Sequence, residues 1–282
     1  MHVLITGING YISQYLLRYK PSNITVSGTY HSTPNTAHSD LIQIPLELGQ
    51  SIFNQLDTID ADVVIHTAAY SNLALCENNP DLAYRINGKA TEELADWCKQ
   101  TNTHLVYLST DIVFDGDSAP YSETDTPKSI NVYGKSKYQG ECAVKIVERN
   151  TIIRLALVLG QGIGVNKNFV DWIIDRIKTK QNVPLFFDEI RTPVCAGDVA
   201  KAIWNIVEQK TSGVLHICSS QSIDRYTLGD KICNYYDSSF KNIQKKSLKD
   251  QKVKRPRDVS LLNNKLEFKI PSILTHIGDL FL

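Results

Sequence analysis

Nowhere in this 282-residue chain do apolar residues run to the ~18 in succession that a membrane-spanning helix requires. A surplus of one charge is also missing. Thirty basic and thirty acidic residues cancel, so no overall field draws in nucleic acid or an anionic membrane. The one basic cluster, KKSLKDQKVKRPR at 245–257, has no aromatic interleaving and reads as a solvated face with a loop. Metal-ligand spacing is absent: the seven histidines form no H-x-x-x-H, and the six cysteines form no C-x-x-C and no pairing with histidine. Scattered thiols of this kind belong to a reducing compartment, where a thiol is most often a small buried residue. No G-x-S-x-G elbow is present, which argues against an esterase or protease nucleophile. A strand-like run begins at the second or third residue and leaves no room for a secretory leader, so the expected location is cytoplasmic.

What is present is an alternation. HVLIT reads as a buried strand, GYISQYLLRY as a helix, ITVSGTY as a strand and SIFNQLDTI as a helix. ADVVIHTAA is again a strand, DLAYRINGKATEELADWCKQ a long amphipathic helix, and HLVYLST a strand. Near-continuous Val, Ile and Leu in the strands predicts an α/β fold, a doubly wound parallel sheet covered on both faces. A helix through KYQGECAVKIVER and a strand at NTIIRLALVLG extend the pattern. After Gly160 it loosens into the helix NFVDWIIDRIKTK, the short strand VPLFFD, the helix GDVAKAIWNIVEQ and the strand GVLHICSS. The tail from Ser219 is polar and lysine-rich. Residues 1–155 plus about 190–218 are expected to form the nucleotide-binding body. About 156–189 and 219–282 are expected to form a smaller lobe over the strand ends.

LITGINGYIS places Thr6, Gly7, Gly10 and Ser13 between the first strand and the first helix. Glycine suits a tight turn where backbone approaches a pyrophosphate, and the helix start offers free N–H groups and a positive dipole end. The motif stands in the first strand-to-helix turn, where a dinucleotide fold needs it. An acid at the end of the second strand would take the adenosine ribose hydroxyls of NAD(H). That strand instead ends VSGTYHS, with Thr29, Tyr30, His31 and Ser32. NADP(H) is therefore favoured, with His31 or Ser32 as donors to a 2′-phosphate, and NAD(H) is also compatible. No arginine stands there to grip the phosphate.

NVYGKSKYQGE holds Tyr133 and Lys137 four residues apart, on one face of a helix. A free tyrosine titrates at about 10, and a neighbouring cation favours its phenolate. So tuned, the phenol can protonate the alkoxide formed when hydride reaches a carbonyl. LVYLSTDIVFDG supplies Ser109 and Thr110 at the end of a parallel strand, where open α/β sheets place their ligands.

Taken in order, TGINGY, HTAAYSNLALCENNPDLAYRIN, LSTDIVFDG, YSETDTPKSINVYGKSKYQGE, RTPVCAGDVAKAI and RPRDVSLLNNKLE resemble the extended short-chain dehydrogenase/reductases. Within them the chain is similar to the dTDP-4-dehydrorhamnose reductase branch, from its first residue to about residue 268. The resemblance implies a Rossmann domain, a C-terminal lobe for a nucleotide sugar, and NAD(P)H-dependent reduction of the sugar's C4 ketone. It implies Tyr133 as general acid, Lys137 as its partner on the nicotinamide ribose, and Thr110 as the hydroxyl on the carbonyl oxygen. Gly7, Asn9, Gly10, Tyr11 and Ile12 would line the pyrophosphate, and Glu47 with Leu48 the adenine. Ala68, Ala69 and Tyr70 would pass under the ribose and nicotinamide side, with Asn87 near the same loop. Asp111, Asn131, Arg191 and Arg257 would face the substrate, arginine being suited to a diphosphate by its fork.

Two departures stand out. Ser13 replaces the third glycine, and Leu157 stands where the rhamnose enzymes carry tryptophan against the sugar. The segments RTPVCAGDVA and RPRDVSLLNNKLE are at least as similar to the regulatory β subunit of methionine adenosyltransferase as to the rhamnose enzymes. That resemblance implies a non-catalytic, NADP-binding partner subunit, and the two kinds share Thr110, Tyr133 and Lys137. A dehydratase would want an Asp-Glu pair after the strand-end threonine, where Asp111 and Ile112 stand. The relatives leave a homodimer open.

Overall fold

Val3, Leu4 and Ile5 are wholly buried because their strand runs through the middle of a sheet with apolar layers on both sides. Side chains alternate along it. Val3 and Ile5 join one apolar cluster with Val26, Ile65, Val106 and Ile153, while Leu4 joins the other with Val64, Leu105, Tyr107 and Ile152. Each aliphatic side chain buried in this way stabilises the fold by roughly 1.5–3 kcal/mol relative to exposure. The computed structural model describes residues 1–38, 41–48, 52–56, 58–163 and 167–281.

Seven strands form the sheet: β1 (His2–Thr6), β2 (Thr25–Tyr30), β3 (Ile42–Pro45), β4 (Val63–His66), β5 (His104–Thr110), β6 (Asn150–Leu155) and β7 (Gly213–Ile217). All pairings are parallel, in the order β7-β6-β5-β4-β1-β2-β3. This is the Rossmann-like doubly wound arrangement expected. Its strand order reverses between β1 and β4, which opens a crevice above their carboxyl ends.

Six helices matter for the site and the lobe: α1 (Tyr11–Arg18), α2 (Ala90–Gln100), α3 (Val132–Val144), α4 (Phe169–Lys178), α5 (Ala196–Gln209) and α6 (Arg225–Tyr236). α1 and α5 pack together on one face, where the Trp204 indole N–H donates to the Leu16 carbonyl at 2.9 Å. α2 covers the other face. It continues from the helix Pro80–Tyr84 through a π-helical turn, Arg85–Lys89, that the periodicity does not anticipate. α3 begins at Val132, five residues before the expected start at Lys137, because Asn131 caps it by accepting from Gly134 N at 2.9 Å. Tyr133 therefore sits in the first turn. Of the helix expected at 51–59, Phe53–Leu56 is helical, and Ser51 and Asp57 lie outside the described residues.

The smaller lobe is built on Val170, Ile173, Ile177, Leu185, Leu228 and Ile232, contributed by α4, α6 and the strand Val183–Phe186. That strand pairs in parallel with Ile243–Lys246, a strand hidden in the polar tail. Its side chains are mostly exposed, so the backbone ladder, rather than apolar alternation, makes it a strand. The chain then returns to the body. Tyr121 N donates to Ser260 O at 2.8 Å and Leu262 N to Tyr121 O at 2.7 Å. Val259 and Leu261 pack with Phe114 and Tyr121, and Ile270 is buried in the first cluster of the sheet.

Candidate active site

A cavity of about 940 Å³ lies over the strand ends of the crevice. Fifteen of the residues expected at the catalytic and cofactor positions line it, from Gly7, Asn9, Gly10, Tyr11 and Ile12 to His31, Ser32, Glu47, Leu48, Ala68, Ala69, Tyr70, Thr110, Tyr133 and Lys137.

The glycine loop is built for close approach. Gly7 has φ +68°, and a Cβ there would stand 3.0 Å from the Cβ of Ala68. Gly10 caps α1 without a side-chain acceptor, and the first turn carries no acid, so its N–H groups face the cavity uncompensated. Ser13, the departure from glycine, is fully buried. Its hydroxyl donates to the Gly7 carbonyl at 2.9 Å and meets the Thr67 hydroxyl at 2.7 Å, tying the turn to the end of β4.

A second network holds the loop after β4. Thr91 donates its hydroxyl to Asn87 O at 2.8 Å, so it must accept from His66 Nε2 at 3.2 Å. His66 Nδ1 is then the acceptor for the Thr6 hydroxyl at 2.7 Å, and Thr6 Oγ1 in turn accepts from Ala68 N at 3.2 Å. Burial lowers the His66 pKa to about 3, with Lys137 nearby adding to the effect, so the ring is neutral as these bonds require. Asn87 does not line the cavity. It is buried beneath it, accepting from Tyr70 N at 2.8 Å and donating to Tyr70 O at 2.9 Å.

Tyr133, Lys137 and Glu141 follow one another at intervals of four along α3. Burial raises the Tyr133 phenol well above its ordinary value, and the Asp111 carboxylate adds to this, while the Thr110 hydroxyl acts in the opposite direction. The expected downward tuning by Lys137 is not found: desolvation and the nearby carboxylate raise the phenol, and the lowering influence comes from Thr110. Tyr133 is therefore held protonated, ready to donate. Lys137 is buried, with its ammonium 4.0 Å from the Tyr107 ring centre. Desolvation lowers its pKa to about 7, and Glu141 opposes the shift. Glu141 itself is clamped by Arg154 through Nη2 at 2.9 Å and accepts from the Ser109 hydroxyl at 2.5 Å.

The five residues expected on the substrate side do not line the cavity. Asp111 is buried, accepting from the Thr110 hydroxyl at 3.2 Å and paired with Arg191 Nη1 at 2.9 Å. Arg191 is buried as well, its Nη2 3.0 Å from Glu189, and Arg255 approaches the same glutamate at 3.6 Å. Both forks of Arg191 are thus engaged inside the protein rather than free for a diphosphate. Asn131 is consumed by the α3 cap and by Lys254 O at 3.3 Å. Leu157 packs against the lobe's apolar cluster, and Leu155, Ala156 and Val158 form the cavity wall instead. The Arg257 side chain is exposed.

Residues not foreseen also line the cavity. Thr33, Leu46, Thr67 and Leu155 follow from the rule that ligands sit at strand ends. Leu82, Arg85 and Ile86 carry no local signal, because only tertiary packing brings that helix to the crevice. Among the described residues there is no group of three or more His, Cys, Asp or Glu placed to hold a metal ion, and no helix is long and apolar enough to cross a membrane.

The family described as the RmlD substrate binding domain matches residues 1–276. The chain is 32% identical to the "Probable low-salt glycan biosynthesis reductase Agl14" of Haloferax volcanii, covering 97% of this chain and 95% of that protein. It is 25% identical to methionine adenosyltransferase 2 subunit beta of Rattus norvegicus, covering 94% of this chain and 81% of that protein. Among solved structures it is similar to dTDP-4-dehydrorhamnose reductase of Bacillus anthracis in complex with NADP. That match has a TM-score of 0.85 and 26% identity, covering 99% of this chain and 98% of the other.

Proposed function

The chain belongs to the RmlD substrate-binding domain family, and from that premise we propose that it reduces the C4 ketone of a nucleotide-activated 4-keto-6-deoxy sugar with a nicotinamide cofactor. The observation that carries the reading is the meeting of Thr110, Tyr133 and Lys137 in one cavity with the glycine loop. The residues fit a dinucleotide: Gly7 leaves room for backbone approach, the start of α1 is uncapped, and the cavity has the size of a ligand site. Bound there, the cofactor supplies a hydride.

The remaining chemistry belongs to the chain. As the substrate carbon is reduced, the Tyr133 hydroxyl gives its proton to the carbonyl oxygen, leaving an alcohol and a phenolate that takes a proton back from water. When substrate binds, the Thr110 hydroxyl turns its one proton from Asp111 to the same oxygen and fixes its position. The Lys137 ammonium holds ribose hydroxyls and offsets the phenolate charge. The reductase named in Haloferax volcanii and the NADP complex of the Bacillus anthracis enzyme support this reading.

Similarity to methionine adenosyltransferase 2 subunit beta supports a second one, a cofactor-binding subunit without turnover. The test is oxidation of NADPH and NADH with enzymatically generated dTDP-4-dehydrorhamnose, beside the Tyr133→Phe variant. Turnover lost in the variant is the expected result. Cofactor binding without turnover on any 4-keto sugar, with capture of a methionine adenosyltransferase catalytic chain, would favour the second reading.

A further inference from the structure

The adenosine end of the cavity poses a charge problem. Leu82, Arg85 and Ile86 line the cavity at i, i+3 and i+4, so one face of a helix is turned toward it. Arg85 opens the π-helical turn Arg85–Lys89, a rare geometry that gathers at functional sites. Its side chain is exposed and makes no ion pair among the described residues. The other basic side chain of the Lys and Arg type on the lining is Lys137, buried against Tyr107 in the catalytic set. Among the described residues the sole lining carboxylate is Glu47, placed just after β3.

A pyrophosphate already has its cradle in the glycine loop and the start of α1. A phosphate on the adenosine ribose does not. The turn after β2 offers the donors His31, Ser32 and Thr33, and Asn9 Nδ2 fixes that turn by donating to Thr33 O at 2.7 Å. It holds no permanent cation. Arg85 is the one lining residue whose charge and fork suit such a group.

Resting on the cofactor reading above, we propose that Arg85 is the cofactor-discriminating residue. It pairs with the 2′-phosphate of NADP(H) from the helix side, in place of an arginine after β2. Preference for NADP(H) over NAD(H) then resides in a helix that carries no nucleotide-binding motif.

The experiment is titration calorimetry of the purified chain with NADP⁺, NAD⁺ and 2′,5′-ADP, for the wild type, Arg85→Gln and Arg85→Lys. Loss of a charge-assisted contact should raise the Kd for NADP⁺ and 2′,5′-ADP about tenfold or more in Arg85→Gln, with NAD⁺ changed less than about twofold. Arg85→Lys should fall between. Arg85 is exposed and glutamine is a good helix former, so the variant keeps its fold, as circular dichroism will show. Equal weakening of NADP⁺ and NAD⁺ would place Arg85 on the pyrophosphate or adenine and overturn the proposal, as would unchanged affinity for both. A wild type that binds neither dinucleotide overturns the cofactor reading as well. Discrimination lost in Arg85→Gln, in a protein that shows no turnover, would uphold this proposal and count against the reductase alone.

Discussion

The Lys137 ammonium lies 4.0 Å from the centre of the Tyr107 ring, and the Tyr107 hydroxyl donates to the Lys137 carbonyl at 3.1 Å. One aromatic side chain thus holds both ends of Lys137. The arrangement depends on Gly140, where a Cβ would come within 2.2 Å of the Tyr107 oxygen. The π-face supplies part of what water would give an ammonium, but burial prevails and the pKa drops to about 7.

That value gives a pH dependence. Unfolded lysine keeps its proton to about pH 10.4, whereas folded Lys137 loses it near 7, so the unfolded state binds more protons across that interval. The contribution of Lys137 to stability therefore rises with pH from about 7 upward, while the ammonium that the proposed function sets on the ribose hydroxyls disappears. Dinucleotide affinity measured by calorimetry should fall as pH passes about 7. The Glu141→Gln variant should move that midpoint lower, because Glu141 raises the lysine.

Glu141 and Arg154 form a buried pair at 2.9 Å, each almost fully shielded from solvent. Removing either charge leaves the other unpaired in the interior. Glu141→Gln or Arg154→Met should each lose about 3–5 kcal/mol in denaturant unfolding, and the double variant should recover much of it.

Asp111 holds the Thr110 hydroxyl while Arg191 holds Asp111. In Asp111→Asn the hydroxyl loses its charged acceptor and its orientation. Turnover should fall about tenfold to a hundredfold, with KM changed little. A purely structural role would instead show as loss of stability with normal kcat in the folded fraction.

Gly7→Ala places a side chain at φ +68° and 3.0 Å from Ala68. The strained backbone should cost about 1–2 kcal/mol in thermal or denaturant unfolding. Dinucleotide binding should weaken as well, since the added methyl group occupies the approach to the loop.

The body of this protein was legible because its local signals agree. Strand runs such as HVLIT and HLVYLST are buried on both faces, and the glycine turn, Tyr133 and Lys137 fall where strand and helix ends must lie. Glu141 could have been read too, one helical interval beyond Lys137, had the four-residue spacing been followed further. Other features depend on contacts between distant segments. Arg191 looks like a free anion ligand in sequence, and only Asp111, brought to it by folding to join the neighbouring Glu189, shows that it is consumed. Ile243–Lys246 has no apolar alternation, so nothing but its partner strand reveals it. Asn131 announces a helix cap as readily as a substrate ligand, and here the cap prevails.

The return of the chain to the body bears on how the protein matures during synthesis. Glu123, next to the strand-end region that carries Thr110, accepts from Asn264 N across a separation of 141 residues. His216 at the sheet edge likewise meets the Leu262 carbonyl at 2.9 Å. A chain still being synthesised would therefore hold Phe114 and Tyr121 uncovered until Val259 and Leu261 emerge. The described lining of the cavity, Gly7 to Val158, is thus made long before the segment that covers this apolar patch.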